Sequence, residues 1–397
     1  DMSAEEIYDY YRQYDQKFGL PLKSKWKPFA QTKAPKNKLR IGYVSPDFRV
    51  HSMRNFLEPV LTHHNHDKFE IYAFAELKKE DQITQKYKSY ADHWIRTDKM
   101  SDEEMAQKIR DVQIDILIDL AGHTKGNRLG VFALKPAPVS LSWWIGYGYT
   151  TGLSAIDYFL TDNVLAPEGS EHLFAEQLWY YRDGCCDIWC SRPDMGNITS
   201  LPALTNGFIT FGTLTRVIRI NDKVIKAWSQ ILNQVKGSKL IINSKSFNNS
   251  MTINEFKQKF QEYGISSDRL DIYYQSPPWD TMRKIDIALD CFPHNSGTTL
   301  NEHLYMGNPF ITMAGRPSVG RIGASILNAV GHPEWIATSE EAYIDKAIAL
   351  ASDTKKLAKI RGSLRAEIEA SPIMDTRRFV EGLEKIYQGM WEKWCAS

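Results

Sequence analysis

No stretch of the 397-residue sequence reaches about 18 consecutive apolar residues, so none has the length and apolarity of a membrane-spanning helix. The first residues are charged, unlike a secretory signal, and the expected location is cytoplasmic. Neither sign of charge is in excess: 49 lysines and arginines face 48 aspartates and glutamates. That balance leaves no global field for nucleic acid or an acidic membrane, so neither is an expected partner, and any anion site must be local. Cysteine is sparse, at five residues, three of them within 185–190. They lack the paired CxxC spacing of a zinc site and have no histidine nearby, which points to reduced structural thiols. His63, His64 and His66 follow an apolar helix-like stretch and read as a solvated helix end. No metal site is expected.

Several signatures are missing as well. Neither half carries GxGxxG directly after a first strand, which excludes an ordinary dinucleotide-binding loop. The glycines of 146–152 have the wrong spacing for one. There is no GxxxxGK[ST] phosphate loop and no GxSxG nucleophile elbow. No repeat of 20 to 50 residues stands out, so the chain is not itself a solenoid.

What remains is an ordinary globular composition, 43% hydrophobic and 24% charged, long enough for two domains. Residues 1–20 carry Ile7, Tyr10, Tyr11 and Phe18 among charges, an amphipathic helix pattern, and the lysine- and proline-bearing stretch after them reads as a linker. From Leu39 the pattern alternates. Strands are expected at 39–45, 69–75, 114–120, 139–142 and 158–161, with a helix at 102–112. A second series follows the irregular stretch 183–206: strands at 208–212, 239–243, 270–274, 285–290 and 309–313, with helices at 222–234 and 253–263. A last helix is expected at 376–394. Strands alternating with helices predict parallel α/β sheets. The expected domains are 1–37 (helix and linker), 38–195, 196–375 and 376–397 (terminal helix).

Open α/β sheets bind ligands at the carboxyl ends of their strands. Four turns there are rich in polar groups: 45–51, 121–126, 212–219 and 293–302. In the last, a strand passes through Ser296-Gly297-Thr298-Thr299 into a helix, an arrangement of unpaired N–H groups and positive helix dipole suited to phosphate. Glu302, one turn on, is placed to accept from a sugar hydroxyl. Ser296 or Thr298 also serves simply as a helix cap on this reading. Arg216 and Arg219, three apart, are expected to open a helix, a position where arginine opposes the dipole unless an anion compensates. Arg316 and Arg321 are weaker candidates. His51, past a Pro-Asp turn, is a candidate base or orienter, and His123 competes with it from the glycine-flanked loop Gly122-His123-Thr124.

Together the runs Arg40–His51, Asp119–Arg128, Phe132–Pro138, Asp157–Asp162 and Gly297–Glu302 resemble, in order and spacing, the catalytic region of the O-linked N-acetylglucosamine transferase family. The resemblance spans residue 38 to Trp394. It implies a GT-B fold, two Rossmann-like domains facing a central cleft, and metal-independent inverting transfer of a sugar from a nucleotide sugar, foremost UDP-N-acetylglucosamine, to a protein hydroxyl. No other cofactor is implied. On the matching positions His51 falls at the family's active-site histidine, Thr298 and Thr299 at the pyrophosphate-holding helix start, and Glu302 at an acidic residue on the ribose. Gly122, His123, Thr124 and Tyr147 fall on the acceptor or sugar side. Arg219 stands where the family usually carries a lysine on the donor phosphates, and Gly148 where it has a proline. Family members and their neighbours also use UDP-glucose and GDP-fucose, so the donor stays open, as does an asparagine acceptor. A hydrolysing UDP-sugar epimerase or a non-catalytic sugar-nucleotide module are more distant readings. Residues 1–20 are expected to close a helical-repeat array, whether repeats precede this chain being left open with the oligomeric state.

Overall fold

The structure, a computed structural model, describes residues 2–143, 145 and 148–397. The chain divides into two compact units, residues 1–190 with 375–397, and residues 191–374.

The first unit is built on a seven-stranded sheet: β1 Leu39–Ser45, β2 Phe69–Ala75, β3 His93–Arg96, β4 Ile116–Asp119, β5 Val139–Trp143, β6 Tyr158–Thr161 and β7 Gln177–Tyr180. Its order is β3-β2-β1-β4-β5-β6-β7, with every pairing parallel. The central strands are buried on both faces, which is why apolar residues crowd them in sequence, interrupted by Arg40, Asp119, Ser140 and Ser142. The edge strands β3 and β7 are partly exposed and carry no such signal. The sequence reading had no strand at either.

The helix Thr376–Ala396 belongs to this unit although it ends the chain. Its apolar stripe, Phe379, Val380, Leu383, Tyr387, Met390 and Trp391, is buried. The Phe379 ring stacks on Trp143 at 5.7 Å and on Tyr181 at 4.9 Å. A polar network adds direction to that contact: Tyr43 Oη lies 2.9 Å from Tyr387 Oη and 2.8 Å from His64 Nε2, and His64 Nδ1 lies 3.0 Å from Glu384. His64 is therefore buried, not part of a solvated helix end as its sequence neighbourhood suggests. Burial drives its pKa below the ordinary histidine value. At the other end, the helix Ala4–Tyr14 forms as expected, with Ser3 and Glu6 making a reciprocal cap.

The second unit holds six strands: β8 Thr210–Leu214, β9 Lys239–Asn243, β10 Leu270–Tyr273, β11 Ile287–Leu289, β12 Phe310–Met313 and β13 Ile336–Ala337. They run parallel in the order β10-β9-β8-β11-β12-β13. The strand expected over 285–290 forms as the three residues of β11, after a short helix, Trp279–Arg283. Both sheets reverse their winding once, between β1 and β4 and between β8 and β11. These are the topological switch points at which open α/β sheets hold ligands.

Candidate functional site

All four polar turns singled out above leave strands that flank a switch point. In the second unit, β8 leads to Thr215, Arg216 and the 3-10 turn Val217–Arg219. The two arginines do not open an α-helix, as the spacing suggested. Asn221 accepts from the Val224 N–H and starts the helix Asp222–Gln234 only beyond them, because an asparagine cap outcompetes a bare turn. Arg216 is exposed, whereas Arg219 is partly covered. Burial first, then the nearby Arg216 charge, push the Arg219 pKa below its ordinary value.

The loop after β11 carries Ser296 and Gly297 into the helix Thr298–Tyr305. Gly297 is the N-cap and no side chain caps the helix. The Ser296 hydroxyl, the candidate cap, reaches Thr215 Oγ1 at 3.2 Å instead. Leu300 N–H bonds Gly297 O at 2.9 Å, and the Thr298 and Thr299 N–H groups keep the positive dipole end with no side-chain acceptor among the described residues. Two more bonds tie the loops after β8 and β11 together: Asn221 Nδ2 donates to Phe292 O at 2.7 Å, and Arg219 Nη2 approaches His294 Nε2 at 3.3 Å. Arg216, Arg219, Ser296, Gly297, Thr298 and Thr299 are thereby gathered at one switch point. Glu302 sits buried in the first turn and a half of the helix, 7% exposed.

In the first unit, His51 follows β1 and its side chain is 40% exposed, with Nδ1 3.6 Å from Asp47 Oδ2 and 3.3 Å from the Met53 N–H. The loop after β4 carries Gly122, His123 and Thr124. It closes on the first turn at Gly126, where φ is +85° and an added Cβ would lie 3.0 Å from Pro46. His123 Nε2 donates to Thr151 O at 2.7 Å, and the ring is edge-packed by Tyr11 and Tyr14 at 5.2 and 4.7 Å. Burial lowers its pKa, and with Nε2 engaged the imidazole is held as a fixed, neutral group. Tyr147 lies outside the described residues. Gly148 has φ +94°, which proline, locked near −65°, does not reach. The departure from the family's proline is therefore built into this backbone.

Two carboxylates that the sequence reading passed over organise the loops. Asp119 ends β4 and accepts from the N–H groups of Ala121 and Gly122 at 3.1 and 2.9 Å and from Ser142 Oγ on β5 at 3.1 Å. Asp290 follows β11 and accepts from the N–H groups of Cys291 and Ser296, both at 2.8 Å, and from Thr312 Oγ1 on β12 at 2.8 Å. The signal was present in both units: an apolar strand ending in aspartate. Each is 1% exposed, and burial raises both pKa values, Asp290 to about 6.

A folded-state carboxyl held above its unfolded value binds a proton that the unfolded chain has already released. Its favourable contribution is complete below the unfolded value of 3.8 and disappears as pH rises through about 6. Second-unit stability relative to an Asp290→Asn variant is thus expected to improve by on the order of 2–3 kcal/mol between pH 7 and pH 4. Parallel urea titrations of the two proteins across that range measure it, and a pH-independent difference contradicts it.

Among the described residues no group of three or more histidine, cysteine, aspartate and glutamate side chains is arranged to hold a metal ion, and no helix is long and apolar enough to cross a membrane.

The comparisons with known proteins bear on this arrangement. The model of Glycosyl transferase family 41 matches residues 17–186 and 199–383. An Arabidopsis thaliana protein named probable UDP-N-acetylglucosamine–peptide N-acetylglucosaminyltransferase SPINDLY is 36% identical over 371 residues, 91% of this chain and 40% of that protein. A second from the same plant, of the same name but designated SEC, is 30% identical over 373 residues, 91% of this chain and 38% of its own. The chain thus spans about two fifths of these relatives. A mutant form of the Thermobaculum terrenum O-GlcNAc transferase superposes with a TM-score of 0.92 at 30% identity, over 99% of this chain and 75% of that one. With two parallel sheets and interleaved helices, that match makes the fold an α/β GT-B fold. The chain belongs to glycosyl transferase family 41.

Proposed function

We propose that this chain is the catalytic region of an inverting protein O-glycosyltransferase, moving N-acetylglucosamine from UDP-N-acetylglucosamine to serine and threonine hydroxyls. The observation that carries the reading is the uncapped start of the Thr298–Tyr305 helix at the switch point of the second sheet, with Arg219 bonded into the adjoining loop. The names borne by the plant relatives and by the Thermobaculum enzyme support the sugar, its donor and the peptide acceptor.

As the bond from sugar to diphosphate breaks, negative charge grows on the departing phosphate. Arg219, Arg216 and the N–H groups of Gly297, Thr298 and Thr299 are the donors to receive it, and Arg219 and the backbone groups need little rearrangement to do so. Glu302 takes a ribose hydroxyl. His51 serves the acceptor. The Met53 N–H bonding Nδ1 places the ring proton on Nε2, whereas the Asp47 carboxylate, competing for the same nitrogen, favours a proton at Nδ1. In the second state Nε2 carries the lone pair needed to take the hydroxyl proton. His51→Ala is expected to lower kcat by about 10²-fold with nucleotide affinity retained. Turnover and UDP titration on the same preparations check this, and near-normal turnover removes His51 from the mechanism.

The reading as a whole is tested by incubating the chain with a peptide library and radiolabelled UDP-N-acetylglucosamine, UDP-glucose or GDP-fucose. Label on serine or threonine from the first donor supports it. Transfer only from another donor, or to asparagine, corrects the substrate, and consumption of free nucleotide sugar with no labelled peptide overturns it.

A further inference from the structure

We propose that His294 is an additional donor-binding residue: its neutral ring offers Nδ1–H to the diphosphate of the nucleotide sugar while Nε2 is held by Arg219. This rests on the donor site proposed above and extends it to a residue two positions before Ser296. Arginine has N–H donors and no acceptor. In the 3.3 Å contact between Arg219 Nη2 and His294 Nε2, the imidazole nitrogen must therefore supply the lone pair. A neutral imidazole with a lone pair at Nε2 carries its proton at Nδ1.

The surroundings keep it neutral. Burial and the positive charges of Arg219, Arg316 and Arg216 push the His294 pKa down to about 3. Nδ1 has no hydrogen-bond partner among the described residues. An unused donor, partly buried among three guanidinium groups and next to an uncapped helix start, suits a negatively charged oxygen acceptor and repels a cation. A diphosphate satisfies it. The tautomer is thus set by a residue 75 positions away, and Arg219 acts twice: through its own charge and by aiming a neutral donor.

Two substitutions separate these roles. The amide oxygen of His294→Gln reaches the Nε2 position and still accepts from Arg219 but offers nothing at Nδ1. The amide nitrogen of His294→Asn sits near Nδ1 and still donates but releases Arg219. Titrating the full chain with UDP and with GDP, His294→Gln and His294→Ala are expected to bind about tenfold more weakly than wild type, and His294→Asn within about threefold. Wild-type affinity in His294→Gln with loss in His294→Asn overturns the proposal and reduces His294 to a prop for Arg219. Wild-type affinity in all three, while Arg219→Ala weakens binding, overturns it and leaves the donor site standing. If Arg219→Ala and Thr298→Ala also bind normally, the donor site itself is wrong and this inference falls with it. The ¹⁵N spectrum of the wild-type imidazole is a check that needs no variant: Nδ1 is expected to be protonated and Nε2 bare, and the reverse excludes the proposal.

Discussion

An Arg219→Ala enzyme is expected to lose about 10²–10³-fold in kcat while melting no lower than wild type. The two halves of that result have separate origins. A donor aimed in advance at developing phosphate charge stabilises the transition state without reorganising, and in a partly water-excluded turn its field is weakly screened. The fold, by contrast, gains little from the charge. Burial and Arg216 both oppose it, as the lowered pKa records, and among the described residues its side-chain hydrogen bond reaches only His294. Arg219→Lys is expected to recover part of the rate, since an ammonium keeps the charge and loses the planar fork. Steady-state rates with saturating donor, paired with calorimetric melting, check both halves. Wild-type kcat in Arg219→Ala would sink the assignment of Arg219 to the leaving group.

Arg361→Met is expected to destabilise the second unit by about 3–5 kcal/mol. The Arg361 side chain, 1% exposed, donates from Nε to Thr199 O, from Nη1 to Ile285 O and Asn308 Oδ1, and from Nη2 to Thr199 Oγ1 and Arg283 O. Burial lowers its pKa to about 10, so it remains charged at neutral pH. Methionine fills much of the same volume and leaves Ile285 O and Asn308 Oδ1 buried without this donor. Each orphaned acceptor costs its own desolvation, which is why the loss exceeds that of one surface ion pair. Arg361→Lys retains charge but cannot span so many acceptors from one ammonium, and an intermediate loss is expected. Urea unfolding followed by a second-unit probe measures both, and a change below about 1 kcal/mol for the methionine variant shows the clamp to be dispensable.

The residues that were legible in the sequence share one property: their neighbours in the chain determine their state. Central strands such as β1 and β4 are rich in apolar residues because both faces are covered, and that shows within seven or four residues. The Ser296–Thr299 turn announces itself by small hydroxyl residues and glycine between a strand and a helix. Where local context was followed too far, it misled. The spacing of Arg216 and Arg219 points to a helix start that Asn221 moves onward, and the polar setting of the histidines at 63–66 points to the surface although Glu384 and Tyr387, over 300 residues later, bury His64.

From the order of residues alone came the parallel α/β class, the family, the strand-to-helix turn suited to phosphate and the two histidines in the loops after β1 and β4. These follow from local periodicity and from backbone N–H groups that any such turn leaves open. The tertiary structure alone decided that the last helix returns to the first unit, that Asp119 and Asp290 hold their loops, and that His294 meets Arg219. Each of those is a pairing of polar groups far apart in the chain, and a buried polar group takes its protonation and orientation from the partner that satisfies it.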